Sequence, residues 1–282
     1  MLKPIAGRMM LGMALCAVCL SYQSNTVKEG KLFILGGGNL SSSIIEKIIA
    51  ESGLDKGGYG VILPMSSEEP DTAVFYTTAY FTSQGLDNVY GLHFVKGKPY
   101  SQARIDSIRN ASMVFISGGD QSRFMDAIEG TPIKAAIHEA YDRGNVVCGT
   151  SAGAALMSKT MITGNELKHP DAEIVFTTME AENVETIEGL GMLEKVIIDQ
   201  HFIIRKRLNR SVCACIEHPE YMIVGIDEPA GIFVEGNTAT VLDAQVVVLQ
   251  NPSDPKTENG LLGARKIQLD VYLPGESFRI KK

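Results

Sequence analysis

Short apolar runs alternate with longer stretches of helical spacing over the first 230 residues of the chain. Four of the short runs have the length and the β-branched content of buried strands: 31–35, 60–64, 112–116 and 145–148. The segment 40–51, which follows the first run, places isoleucines at positions 44, 45, 48 and 49, the spacing of one helix face. This alternation predicts βαβ units, and therefore a mostly parallel sheet with helices on both faces.

The pattern changes after residue 228, where apolar runs follow one another without helical stretches between them. We expect the runs 231–234, 238–242 and 246–249 to form an antiparallel edge of the sheet. The polar segment 251–263 is expected to be an exposed loop that precedes a short terminal strand.

Two more apolar runs end in residues capable of acid–base chemistry. The run 196–200 is followed by His201, and the run 222–226 is followed by Asp227 and Glu228. Ligands of open α/β sheets bind beyond the carboxyl ends of the strands, so these side chains are expected at the ligand-binding edge. The alternative is that His201 is an ordinary core or surface histidine, and one of the two carboxylates is expected to be merely solvated.

The run 145–148 leads into Gly149-Thr150-Ser151-Ala152-Gly153, and helix-compatible residues follow. A Gly-x-Ser-x-Gly segment between a strand and a helix places the serine on a sharp, strained bend with its hydroxyl exposed. Because a serine hydroxyl is weakly nucleophilic at neutral pH, it needs a base and a third group that orients the base. We interpret Ser151 as a candidate nucleophile and His201 as its base, with Asp227 or Glu228 as the orienting group. The alternative is a small serine in a tight turn.

No sequence pattern indicates a cofactor or a metal. Gly36-Gly37-Gly38 lacks the spacing of a nucleotide-binding loop and is interpreted as a tight strand-to-helix turn. The five histidines are scattered without HxxH or HExxH spacing. The formal net charge is -7, and no lysine- or arginine-rich block is long enough to follow phosphates, which argues against nucleic acid as a partner.

Residues 1–22 have the arrangement of a secretory signal peptide. Lys3 and Arg8 precede the apolar run 9–20, and a polar stretch follows it. The run is too short for a stable membrane span. We therefore expect a cleaved leader, a mature chain that begins near residues 20–25, and export to the periplasm or the extracellular space.

The cysteines bear on the fate of this leader and on the redox state of the chain. Lipid attachment at Cys16 or Cys19 is the alternative to simple cleavage, although neither follows the small residue expected before a lipidated cysteine. The remaining three, Cys148, Cys213 and Cys215, are odd in number and lack the spacing of a disulfide framework. We expect them to be buried free thiols.

Four segments carry a resemblance to a known family: SGGDQ, GTSAGAALMS, GLGML with IIDQHFIIRKRLNR, and GIDE. They resemble the cyanophycinases, which belong to the S51 serine peptidases together with α-aspartyl dipeptidase. The resemblance covers about residues 31–250, and its most specific feature is a histidine followed by arginines four, six and nine residues later. It implies a three-layer α/β/α sandwich like that of class I glutamine amidotransferases, and a homodimer. The length of 282 residues and the 45% hydrophobic content allow one domain or two, and we favour a single catalytic domain over residues 27–282.

The resemblance also implies a role for each candidate residue. By position, Ser151 is the nucleophile, His201 is the general base and then the acid, and Glu228 orients His201. The oxyanion is implied to lie against the backbone N–H groups of Gly119 and Ala152. The residues implied to line the substrate pocket are Gln121, Asp199, Gln200, Arg205, Arg207 and Arg210.

The implied reaction is hydrolysis of cyanophycin, a polyaspartate backbone with arginine on side-chain amides, to β-aspartyl-arginine through an acyl-enzyme. An acidic protein needs a local basic pocket for the carboxylates of such a polymer, and the arginines after His201 are candidates for it. A solvated basic helix is the alternative. Two other functions stay open: a peptidase for short aspartyl or isoaspartyl peptides, and a catalytically idle binding protein of the same fold.

Overall fold

The computed structural model describes residue 1 and residues 29–280. Apart from Met1, the expected leader lies outside the described residues, as do Cys16 and Cys19. Within residues 29–280, no helix has the length and the apolar character needed to cross a membrane.

Strands and helices are interspersed in the described chain as far as Glu217, and only strands follow. The strands are β1 (Lys31–Leu35), β2 (Gly60–Leu63), β3 (Val89–Gly91), β4 (Met113–Ile116), β5 (Val146–Thr150), β6 (Thr160–Glu166), β7 (Val184–Glu188), β8 (Val196–Gln200), β9 (Met222–Ile226), β10 (Gly231–Glu235), β11 (Thr238–Leu242), β12 (Val246–Gln250), β13 (Lys256–Glu258), β14 (Leu261–Gly263), β15 (Gln268–Tyr272) and β16 (Ser277–Arg279). The α-helices are α1 (Ser42–Ser52), α2 (Pro70–Thr82), α3 (Gln102–Arg109), α4 (Gln121–Ile128), α5 (Ile133–Asp142), α6 (Ala152–Ala155) and α7 (Leu208–Glu217), and a short 3-10 helix spans Leu54–Lys56.

The larger sheet has eight strands in the order β16-β11-β10-β1-β5-β4-β2-β3. The strands from β1 to β3 in that order are parallel, whereas β10, β11 and β16 join antiparallel. The predicted mostly parallel sheet with an antiparallel edge is therefore confirmed. The strands predicted at 31–35, 60–64, 112–116 and 145–148 coincide with β1, β2, β4 and β5 to within two residues at either end.

A second sheet, in the order β15-β12-β9-β8, carries His201 and Glu228 at the ends of two strands. β8 and β9 are parallel, and β12 pairs antiparallel with β9, so that Val246 lies opposite Ile226. The structure thus differs from the expectation that β12 belongs to the edge of the main sheet. Residues 246–249 are all buried, and a strand buried on both faces needs a neighbour on each side and cover above and below.

The segment 251–263, expected to be an exposed loop, contains a hairpin of β13 and β14. Glu258 lies opposite Leu261, and Asn259-Gly260 forms the two-residue turn. Both turn residues have positive φ, 51° and 81°, as a type I′ turn requires, and Asn-Gly is the favoured sequence for this turn. The chain then ends in two strands, β15 in the second sheet and β16 in the main sheet, rather than in one.

Three apolar clusters hold the layers together. One face of the main sheet packs against α1 and α2 through side chains such as Phe33, Ile45 and Phe81. The opposite face packs against α3, α4 and α5 and against the second sheet, whose far face is covered by α7. The carboxyl ends of β5 and β8 meet at the end of β1, because Leu35 and Gly36 accept backbone hydrogen bonds from the residues that follow those two strands.

Cys148, Cys213 and Cys215 are free and buried, as predicted. Burial raises the pKa of the Cys213 and Cys215 thiols to about 11 and raises the pKa of Cys148 well above its ordinary value. These three side chains are therefore protonated thiols at neutral pH, with little nucleophilic character.

Candidate active site

Ser151 stands between β5 and α6, with backbone angles φ 54° and ψ -115°. A non-glycine residue in this region is strained, and the surrounding structure must hold it there. The Ser151 N–H donates to the carbonyl of Leu35 at 2.9 Å. A Cβ atom at Gly149 would lie 2.1 Å from the carbonyl oxygen of Gly153, so the close approach around the bend requires glycine. This is the geometry of a strand-to-helix nucleophile elbow.

The hydroxyl of Ser151 lies against His201, the residue that follows β8. The distance from Ser151 Oγ to His201 Nε2 is 2.6 Å. On the other side of the ring, His201 Nδ1 is hydrogen bonded to Oε1 of Glu228. A carboxylate only accepts hydrogen bonds, so Nδ1 carries the proton and Nε2 accepts from the serine hydroxyl. The structure brings together the three side chains that the sequence predicts as nucleophile, base and orienting group.

The end of β1 and the loop that follows it are hydrogen bonded to the backbone at or near each of these three residues. The carbonyl of Gly36 accepts the N–H of His201 at 3.1 Å, and the N–H of Gly36 donates to Ala230, two residues beyond Glu228, at 2.9 Å. A Cβ atom at Gly38 would lie 2.6 Å from Oε2 of Glu228. The sequence pattern alone predicts only a tight turn here. Because Gly36-Gly37-Gly38 follows the carboxyl end of a strand, that position could have indicated that the turn contributes to the site.

The imidazole of His201 is only 7% exposed. Burial lowers its pKa below the ordinary value of 6.5, the hydrogen bond with Glu228 opposes that effect, and the charge of Arg205 lowers the pKa further. The ring is therefore neutral at pH 7 and able to take a proton from Ser151.

Two backbone N–H groups are candidates for holding an oxyanion. The turn that follows β4 packs against the elbow, since a Cβ atom at Gly118 would lie 3.2 Å from Cβ of Ser151. Gly119 lines the pocket, and the next N–H, that of Asp120, donates to the carbonyl of Ser66 at 2.8 Å and so fixes the turn. Ala152 is the first residue of α6, and N–H groups in the first turn of a helix lack a partner within the helix.

A pocket of about 400 Å³ opens beside Ser151. The charged residues among those that line it are Asp120, Arg205, Lys206, Arg207 and Arg210. Asp199, which lies behind the pocket and is fully buried, is ion-paired with Arg210. Among the residues that line the pocket, four carry a positive charge and one, Asp120, carries a negative charge, so the lining has an excess of positive charge.

Asp199 organises the deepest part of this pocket. It accepts two hydrogen bonds from Arg210, one of them from Nε to Oδ2 at 2.9 Å, and another from the hydroxyl of Ser211 at 2.6 Å. Arg207 Nη1 lies 3.7 Å from the same carboxylate and donates to the carbonyl of Gln200 at 2.7 Å. Burial, with the neighbouring charge of Arg210, lowers the pKa of Arg207 to about 10, so it remains a cation at neutral pH.

The residues predicted for the substrate pocket occupy different environments. Arg205 is exposed at the rim, whereas Gln121 and Gln200 are buried in the wall. Gln121 Nε2 donates to the carbonyls of Ile162 and Thr163, both at 2.8 Å, so its amide N–H groups tie α4 to β6. Of the three arginines, only Arg210 lies on α7; the other two precede its first residue, Leu208, in a series of turns. The sequence alternative of one solvated basic helix therefore does not describe this segment.

Asp227 faces away from the imidazole. Its Oδ1 accepts the N–H groups of Ile203 and Ile204 at 3.1 and 3.0 Å. Asp227 therefore holds the turn that follows His201. The sequence had left open whether Asp227 orients the imidazole or is merely solvated.

The sequence did not indicate that the β6–β7 hairpin forms part of the site. Thr163 and Gly164 of β6, and Val175 and Phe176 of the connection between the strands, line the pocket. The β-branched run at the start of β6 was a signal for a strand, but nothing local to it points toward Ser151. Which side chains the long connection brings to the pocket depends on tertiary contacts.

Comparisons with known proteins bear on the class of this site. The family model of peptidase family S51 matches residues 32–242. The cyanophycinase of Nostoc sp. is 28% identical over 247 residues, which cover 84% of this chain and 80% of that protein. The cyanophycinase of Synechococcus elongatus is 30% identical over 202 residues, which cover 70% of this chain and 60% of that protein. The crystal structure of a peptidase from an acI-B1 Actinobacterium is similar with a TM-score of 0.63 at 18% identity, covering 89% of this chain and 97% of that chain.

The fold and the matching family model define a serine-type peptidase with a class I glutamine amidotransferase-like fold. The chain belongs to peptidase family S51.

Proposed function

We propose that the chain hydrolyses aspartyl-linked peptide bonds in the manner of a cyanophycinase. The observation that carries this proposal is the chain of contacts from Ser151 Oγ to His201 Nε2 and from His201 Nδ1 to Glu228, beside a pocket with excess positive charge. A site of that charge favours a substrate that presents carboxylates, and each arginine on the cyanophycin backbone keeps a free α-carboxylate. The cyanophycinases among its relatives support the same substrate class.

In this mechanism the neutral His201 takes the hydroxyl proton of Ser151 as Oγ attacks the carbonyl carbon of the scissile amide. The carbonyl oxygen becomes negative and accepts hydrogen bonds from the N–H groups of Gly119 and Ala152. The imidazolium then gives its proton to the leaving amine, and the C–N bond breaks to leave an ester on Ser151. Water, deprotonated by the same imidazole, hydrolyses the ester and regenerates the serine.

The substrate is tested by incubating the protein with cyanophycin and with a panel of α- and β-aspartyl peptides, and identifying the products by mass. We expect β-aspartyl-arginine from cyanophycin. Turnover confined to the short peptides would instead support an aspartyl or isoaspartyl peptidase, which the modest pocket of about 400 Å³ also favours. A serine-directed covalent probe separates both from an idle binding protein, whose Ser151 would not be labelled.

The mechanism is tested by Ser151→Ala. Removing the hydroxyl is expected to lower turnover on the order of a million-fold, with a residual rate from the oxyanion donors. A chelator is expected to leave activity unchanged, because attack begins at the serine. Near-normal hydrolysis by Ser151→Ala, or activity lost to a chelator and restored by a divalent metal, would contradict the mechanism.

We further propose that the chain forms a homodimer. β15 is an edge strand, and Leu269 and Val271 within it and Leu273 directly after it are 48%, 54% and 53% exposed. An exposed apolar edge strand is suited to pairing with another strand. Two copies of β15 paired antiparallel about Val271 bring Leu269 of one copy opposite Leu273 of the other. Val271→Lys should give a monomer by light scattering, whereas Leu167→Lys, at an equally exposed position outside that strand, should not.

We also propose that the chain is exported after cleavage of a leader. The charged and apolar pattern of residues 1–22 supports this proposal. The mass of the protein from its native host should correspond to a chain that begins near residues 20–25. A chain that still carries residues 1–20 would contradict it.

A further inference from the structure

Residues 167–183 join β6 to β7 and form one wall of the candidate pocket. Val175 and Phe176, in the middle of this connection, line the pocket directly. The connection contains no helix or regular strand. Contacts with other segments must therefore fix the position of the wall.

Glu166, the last residue of β6, is bonded to one of these pocket-lining residues. It is 4% exposed, and each of its carboxylate oxygens accepts a hydrogen bond: Oε2 from the N–H of Phe176 at 2.9 Å and Oε1 from Nδ2 of Asn183 at 2.6 Å. Oδ1 of Asn183 in turn accepts the N–H of Lys168 at 2.9 Å. Glu166 and Asn183 together tie the beginning, the middle and the end of the connection to one point.

The choice of a carboxylate at this point is chemically specific. Glu166 has no ion-pair partner within residues 29–280, and burial of a carboxylate without a cation is costly. Both of its partners are N–H donors, so the position requires two acceptors. A glutamine of the same shape offers one acceptor and turns an NH₂ group toward the other donor.

The residue that this arrangement holds contacts the deepest cation of the pocket. The Phe176 backbone is held on its other side by Asn209, whose Nδ2 donates to the Phe176 carbonyl at 3.0 Å, and its φ is 55°. The Phe176 ring centroid lies 5.9 Å from Cζ of Arg210, within the range of a cation–π contact. The Phe176 ring therefore lies against one face of the guanidinium, whose edge is paired with Asp199.

We propose that Glu166 and Asn183 are positioning residues that hold Phe176 over Arg210 and thereby determine how the pocket binds its substrate. Neither residue contacts Ser151, His201 or Glu228. Their loss therefore raises KM while kcat changes little. The expected effect on substrate binding rests on the proposed function, whereas the expected effect on the position of residues 167–183 does not.

The test uses a reciprocal exchange of the two side chains. Glu166→Gln leaves two donors facing each other, and Asn183→Asp brings two carboxylates together. In the double variant Glu166→Gln/Asn183→Asp, the introduced amide accepts from the N–H of Phe176 and donates to the introduced carboxylate, whose second oxygen accepts from the N–H of Lys168. The exchange restores all three hydrogen bonds, and only the one between positions 166 and 183 has its donor and acceptor reversed. It also keeps the net charge of the native pair.

Three measurements are made on the full chain: hydrogen exchange of the peptide that spans 167–183, KM and kcat with aspartyl peptides and cyanophycin, and the rate at which a small serine-directed probe labels Ser151. We expect each single variant to exchange faster and to raise KM about tenfold, the loss of one hydrogen bond's worth of binding. Labelling should stay within about twofold of the native rate, and the double variant should regain native exchange and KM.

The proposal is overturned if the single variants and the double variant behave alike, or if either single variant keeps native exchange and native KM. A single variant that fails to fold leaves the double variant decisive, since it must fold and bind as the native chain does. A native chain that hydrolyses no aspartyl substrate contradicts the proposed function alone, because hydrogen exchange still reports on the loop.

Discussion

A Cβ atom at Gly37 would lie 2.2 Å from Cε1 of His201 and 2.7 Å from its Nδ1. The imidazole thus occupies the space that a side chain at Gly37 would need. The φ of 124° at Gly37 also belongs to the region that favours glycine. The loop after β1 therefore determines where the candidate base can stand, together with the Glu228 carboxylate on its Nδ1 side.

Gly37→Ala is expected to displace the His201 ring and to lower kcat about 100-fold, the usual cost of a misplacement near 1 Å. It should also lower stability by more than Gly53→Ala, because Gly53 has a positive φ of 69° but no atom within 4 Å of an added Cβ. In urea unfolding, Gly37→Ala should cost less in the His201→Ala background than in the native chain, because the contact with the ring is gone and only the backbone strain at φ 124° remains. Equal stability losses for Gly37→Ala and Gly53→Ala would show that the space is not tight.

Glu228 and Asp227 follow the same strand but are expected to respond differently to substitution. Glu228→Gln turns an amide donor toward Nδ1, which favours the tautomer that cannot accept from Ser151, so kcat should fall on the order of 10⁴-fold. Asp227→Asn keeps an acceptor for the N–H groups of Ile203 and Ile204 and should be mild. Asp227→Ala should cost about 1 kcal/mol per lost hydrogen bond in urea unfolding. Equal kcat values for Glu228→Gln and Asp227→Asn would contradict the assignment.

The parts of the fold that could be predicted from the sequence are those encoded locally. The run 145–148 and the small residues after it specify a strand, a bend and a helix without reference to distant residues. His201 and Glu228 could be placed at strand ends for the same reason. Their meeting with Ser151 also needed the rule that ligands bind at the carboxyl ends of strands.

The second sheet and the pocket wall could not be predicted because distant contacts decide them. The residues of β12 are apolar on both faces, so their pattern indicates burial but not which strand is their neighbour. Phe176 reaches the pocket only because Glu166, ten residues earlier, and Asn209 on α7 hold its backbone. No periodicity within 167–183 indicates those partners.

The buried pair of Asp199 and Arg210 is expected to dominate the stability of the pocket. Asp199→Ala leaves the Arg210 guanidinium buried without its carboxylate, which should lower the free energy of unfolding by about 3–5 kcal/mol. Replacing both, as Asp199→Leu/Arg210→Met, should recover much of that loss, because the Arg210 charge is no longer buried without a partner and Arg207 keeps its hydrogen bond to the carbonyl of Gln200. Urea unfolding of the three chains measures this. A double variant less stable than Asp199→Ala would show that the ion pair itself stabilises the fold.

The acid limb of the pH dependence of kcat/KM should have its midpoint below 6.5. The base must be neutral to accept the Ser151 proton, and burial holds the His201 pKa below its ordinary value, with Arg205 acting in the same direction. Arg205→Gln should therefore move the limb toward higher pH. Lys206→Gln removes an equal charge from the next residue, which is not among the causes of the shift, and should move it less. NMR titration of the His201 Cε1 proton measures the pKa without substrate, and a midpoint above 6.5 in the native chain would contradict the assignment of burial as the dominant effect.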